Sequence, residues 1–340
     1  MVVTDHHGIH SAVSAREELV RFLKESPGAG ALFFLNAGRE IVRTTTAEEQ
    51  AKLDETVAGF GANWQAKTTQ LASKADVFWV SSDMMKLIGT ATNDLSLDVA
   101  ERKVELPKLT PRLLLSDIGF TYFADELGIE ASSRNDGYAE VVPLRGVGWI
   151  PSPAVGRDLQ NGLFIILFAD VTNDPNTADL RDALRSSGAM IPSLMPVGVQ
   201  HWAWNEDADG RTEGFAPVDD RRELDPSFGR WLTAFWHLCH EEVAVKVQAS
   251  VPRAQRRRME REGQKIPEVT VITLRRPKHA VDEGHVAERR QYTHSFLVRG
   301  HWRNQAMGRN WSERRLRYVH PYIKGEGPFV PKTRVFRVAR

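Results

Sequence analysis

A chain of 340 residues, 41% hydrophobic and 26% charged, has the composition of a folded globular protein and exceeds the length over which one core usually grows, so wholesale disorder is excluded and subdomains are expected. Its most apolar run, 162–169 (GLFIILFA), is far shorter than the roughly 20 residues a bilayer requires, so no helical membrane span is expected. The net charge of +1 conceals a split: 22 Lys and Arg face 8 Asp and Glu in 251–340, against 23 and 36 in the preceding 250 residues.

Such an asymmetry marks either a surface for polyanions or two portions docked on each other by charge. The opening MVVTDHHGIH turns polar too soon for a secretory leader, and the lone Cys239 allows no intrachain disulfide. A reducing, cytoplasmic setting is the expectation.

In chain order, 1–105 reads as a helix-rich α/β unit. Ser14 and Glu17 have the spacing of a capping box, which predicts a helix from there to about Glu25, stopped by Ser26-Pro27-Gly28. A short strand over 31–35 follows. The next helix carries Leu53, Val57, Phe60 and Trp64 on one stripe.

The stretch 106–250 reads as a mostly antiparallel β region ending in an amphipathic helix. Strands are predicted at 112–115, 120–123, 138–150, 162–171 and 197–204, with one helix near 178–185. A polar loop is expected over 205–225. A helix opened by Pro226 then carries Leu232, Phe235, Trp236 and Cys239.

The last stretch, 251–340, reads as a basic antiparallel β module flanked by a helix over 253–261 (RAQRRRMER), with strands over 268–276, 292–305, 316–324 and 333–340. The whole is therefore expected to be an α+β protein.

Alternation along 292–305 places Phe296, Val298 and Trp302 on one side and Arg299, His301, Arg303 and Gln305 on the other. Guanidinium forks suit phosphate oxygens and an imidazole titrates near neutrality, so that row fits polynucleotide binding or cleavage. Farther on, Tyr318, His320, Tyr322 and Lys324 share a side if the strand stays regular, and tyrosines among cations make a base-stacking platform. Pro321 threatens that register. On the helix, Arg256 and Arg257 belong to a run of five arginines suited to phosphates. Each of these basic groups has a plainer alternative, which is pairing with carboxylates of the acidic portion.

Asp5, His6, His7 and His10, and the helical set His237, Cys239, His240 and Glu241, have ligand chemistry without a second cluster at zinc spacing. Neither P-loop, dinucleotide fingerprint, nucleophile elbow nor H-E-x-x-H pair occurs, so no metal or cofactor is expected.

The segments 298–305 (VRGHWRNQ), 318–325 (YVHPYIKG) and 334–340 (RVFRVAR) together resemble a family of proteins encoded in actinobacterial genomes and their phages. The resemblance implies a bacterial or phage origin and assigns no catalytic residue.

Three functions stay open at this point. The first is a nucleic-acid-binding protein, RNA or a single strand favoured, acting through Arg256, Arg257, Arg299, Arg303, Gln305, Tyr318, Tyr322 and Lys324. The second is a metal-independent ribonuclease, of toxin type, using His301 and His320 as acid and base. The third is a non-enzymatic assembly protein with electrostatically docked portions. No feature of the sequence sets an oligomeric state.

Overall fold

Strand β1 (Asp76–Val80), with the sequence DVFWV, is apolar on both sides, and such a strand belongs inside a sheet covered on both faces. In the computed structural model it lies there, parallel to β2 (Gly119–Ser133) on one side and to β9 (Val269–Leu274) on the other. The residues described are 6–25, 65–101, 104, 113–133, 139–151, 162–170, 172, 178–186, 188, 190–206, 212–217, 222–224, 226–274 and 295–324.

From β2 the chain runs as an antiparallel meander through β3 (Ala139–Pro151), β4 (Leu163–Asp170), β5 (Leu194–Glu206) and β6 (Thr212–Pro217). The short β7 (Arg222–Leu224) pairs with the distal end of β2, and β8 (Ala244–Ala249) closes the opposite edge against β9. The result is a nine-stranded mixed sheet in an α+β protein.

Side-chain alternation divides the core in two. Val77, Trp79, Phe168 and Val271 point to one face, which is covered by α1 (His6–Glu25), α2 (65–74), α4 (Ala178–Ser186) and α6 (Arg253–Arg261). Phe78, Val80, Ile165 and Ile272 point to the other, under α3 (Ser82–Ala100) and α5 (Pro226–Cys239). Every residue of α5 from Trp231 to Cys239 is buried, because the sheet, α3 and a C-terminal hairpin enclose the helix.

That hairpin consists of β11 (His301–Met307) and β12 (Glu313–Val319), joined by a turn at 308–312 that Gly308 enters with φ of 77°. Beside it, β10 (Phe296–Val298) pairs with β13 (Tyr322–Lys324). Among the described residues no helix is long and apolar enough to cross a membrane.

Several elements differ from the sequence reading. Ser14 does not cap a helix: α1 already runs from His6, so the Ser14 hydroxyl instead accepts from Gln255 Nε2 at 2.7 Å and Glu17 holds Arg258. Residues 113–118 form no strand where one over 112–115 is expected, with bends over 114–118, and the expected loop over 205–225 contains β6 and β7. The run 292–305 is not one strand, because the ladder stops at Arg299-Gly300, and 316–324 breaks at Pro321, whose ring removes an N–H. The strand over 31–35, the helix carrying Leu53 to Trp64 and the strand over 333–340 lie outside the described residues.

Candidate functional site

Helix α3 prepares the seat for the hairpin. Ser81 caps it by accepting from the Met84 N–H at 3.3 Å, and Met84, Ile88, Ala91 and Leu95 form its buried stripe. Asp94 and Asp98, one turn apart, are buried on that same side. Two buried carboxylates on an apolar stripe require partners, since an unpaired buried charge is among the costliest groups a fold can hold.

The segment Arg299-Gly300-His301-Trp302 supplies them. Arg299 Nη2 donates to Asp98 Oδ1 at 2.8 Å and Nη1 lies 3.8 Å from Asp94 Oδ1. The Trp302 backbone N–H donates to Asp98 Oδ2 at 2.8 Å, and its indole N–H to the Ala91 carbonyl at 2.8 Å. Across the hairpin the Tyr318 hydroxyl donates to Asp94 Oδ2 at 2.7 Å, and burial together with that bond pushes the phenol above its ordinary range. Gly300 is the only residue type that fits between them: a Cβ there would clash with the Tyr318 hydroxyl and stand 2.7 Å from Asp94 Oδ2.

This arrangement redistributes the residues singled out from the sequence. Arg299 leaves the expected row, because the chain turns at Gly300 and carries its guanidinium to the two aspartates. Tyr318 is 4% exposed and forms part of the core, so it offers no stacking surface. Two further guanidiniums are also committed to acids of the preceding portion: Arg258 to Glu17, and Arg317, whose Nε lies 3.1 Å from Glu241 Oε2.

What remains outward is defined by register. Arg303 pairs directly across from Arg317, and Gln305 from Arg315, while Trp302 and Tyr318 pair on the buried side. His301, Arg303, Gln305, Arg315 and Arg317 thus share the outer face, with Arg303 and Arg315 exposed. Like charges directly opposite each other destabilise a ladder; the Glu241 carboxylate beside Arg317 offsets part of that cost, and Arg303 and Arg315 stay exposed to an outside anion. Arg315 and Arg317 were missed from sequence because their place depends on a turn centred near residue 310. The turn signal at Gly308 would have located them.

The other sites do not join this face. Arg256 and Arg257 are exposed on α6, which packs on the opposite face of the main sheet. Tyr322 is 44% exposed and Lys324 is exposed, but both lie on the separate β10–β13 ladder. His301 Nδ1 sits 3.3 Å from the Arg299 carbonyl, whereas His320 packs edge-on against the Tyr318 ring at 5.0 Å and burial lowers its pKa. No acid–base geometry around a shared phosphate results from those contacts.

Cys239 is 1% exposed at the end of α5, and burial pushes its thiol up to about 12. A thiol-specific reagent at pH 8 should therefore leave the native protein unlabelled over minutes and label one equivalent in denaturant. Rapid native labelling would show that α5 is not enclosed as described. Among the described residues no group of three or more His, Cys, Asp or Glu is arranged to hold a metal ion.

No family model, no curated protein and no solved structure matches this chain.

Proposed function

We propose that the protein, of bacterial or phage origin, binds nucleic acid, RNA or a single strand rather than a read duplex, through the outer face of the β11–β12 hairpin, and does so in the cytoplasm of a bacterial cell. The observation that carries this reading is the cross-strand set Arg303–Arg317 and Gln305–Arg315, in which Arg303 and Arg315 are exposed while Arg317 is held by Glu241. Guanidinium forks at that spacing can take successive phosphate oxygens, and Gln305 can bond a base edge or a ribose hydroxyl.

Affinity for a phosphate backbone must fall with salt, because each neutralised phosphate releases counterions. Titrating a labelled 12-nucleotide RNA at several salt concentrations should give a linear log–log plot of negative slope. The double substitution R303A/R315A should weaken binding at least tenfold at low salt and reduce the slope by about 0.7 for each arginine removed. A salt-independent affinity, or a double variant that binds like the parent, would remove the proposal.

The ion pairs of Arg258, Arg299 and Arg317 favour a second reading, in which the basic stretch serves the protein's own acidic portion in an assembly role. Gel filtration at low and high salt separates the two. Self-association that dissolves in salt, in a sample free of nucleic-acid absorbance, supports the second.

A further inference from the structure

The two strands of the hairpin do not rest on the protein along their whole length. Trp302, Leu316 and Tyr318 are buried against α3 and α5, but every residue from Met307 to Arg315 is exposed, including those whose register would place them on the inner side. The distal half is thus a finger that overhangs the helices.

At its tip stands Trp311, 70% exposed and the most exposed large apolar side chain among the described residues. Trp311 adopts φ of 59° and follows Asn310 at 56°. Asparagine tolerates this left-handed region, but a bulky indole there is strained, at a cost on the order of 1 kcal/mol or more. Strain and exposed apolar area both oppose this placement, and nothing on the finger uses the ring. Its surroundings identify a suitable partner: Arg309, Arg314 and Arg315 lie within four residues in sequence, against the single acid Glu313. An aromatic face ringed by guanidiniums fits a base flanked by phosphates.

We infer that Trp311 is a stacking anchor at the fingertip, which takes one unpaired base of a single-stranded polynucleotide while the arginines of the hairpin hold the adjoining phosphates. This rests on the nucleic-acid reading and adds to it a residue and a strand preference. A paired base within a duplex offers no free face to an indole on a turn, so the finger selects unpaired bases.

Fluorescence anisotropy with a 12-nucleotide RNA single strand, the matching DNA single strand and the RNA duplex tests it, on the parent, W311A, W311F and R303A/R315A. Because Trp311 is exposed, W311A should melt at the parent temperature. It should bind both single strands about tenfold more weakly with the salt slope unchanged, while W311F keeps most of the affinity. If W311A binds single strands like the parent while R303A/R315A does not, or if the duplex binds as tightly as the strand, the anchor is overturned and the hairpin face stands. If the parent binds none of the three, both fall.

Discussion

Trp302→Ala should lower the unfolding free energy by about 3–5 kcal/mol, the range for truncating a fully buried tryptophan. The ring is 2% exposed and lies 5.2 Å from Tyr318 and 6.0 Å from His237, so its loss opens a cavity between the hairpin and α5. It also removes the indole bond to Ala91, while the backbone bond to Asp98 survives on paper and loses the packing that fixes it. Trp311→Ala, nine residues and one turn away, should change stability by no more than about 0.5 kcal/mol. Urea unfolding of both variants measures the contrast. A loss below about 1 kcal/mol for Trp302→Ala would mean that the hairpin is an appendage, and the outer face would lose its fixed register.

The same residue shows how much could be read in advance. Alternation alone put Trp302 on an apolar side and Arg303 and Gln305 on a polar one, because a strand repeats every two residues whatever it packs on. Strand 163–170 and helix 226–239 were legible for a similar reason: an apolar run with turn signals, and an apolar stripe after a proline. Strand β1 and helix α3 were not assigned. The strand has only five residues, and Gly89, Thr90, Thr92, Asn93 and Asp94 dilute the helical signal of α3.

Asp94 and Asp98 break the apolar stripe at the positions that matter most, and their partner is about two hundred residues away in sequence. No local pattern encodes a contact of that range. The segments VRGHWR and YVHPY therefore contain in Arg299, Gly300, Trp302 and Tyr318 the pieces of a docking joint. An arginine that looks free for an outside phosphate in the sequence can be the counter-ion of a buried carboxylate in the fold, and only the register of its neighbours separates Arg299 from Arg303.

The joint also carries a pH response. His237, 6% exposed on α5, is held neutral: burial lowers its pKa to about 4, and the charges of His240 and Arg315 act in the same direction. In the unfolded chain the imidazole titrates near 6.5, so between those values the unfolded state binds the additional proton and stability rises with pH. His237 then contributes stability above about pH 6.5 that is lost as the pH falls toward 4, by roughly 3 kcal/mol in all at about 1.4 kcal/mol per unit. His240 and His320, whose pKa values burial also lowers, add to the same slope. His237→Phe removes the largest contribution. It also relieves a buried ring nitrogen without a hydrogen-bond partner, so the variant should be at least as stable as the parent at pH 7 and should lose less on acidification to pH 5. Melting temperatures of both proteins from pH 7.5 to 5 decide the matter, since parallel curves would show that His237 takes up its proton in the folded state. Because Arg315 lies on the outer face of the hairpin as well, R315A should move the His237 transition to higher pH, which ties the basic face and the buried imidazole to one electrostatic field.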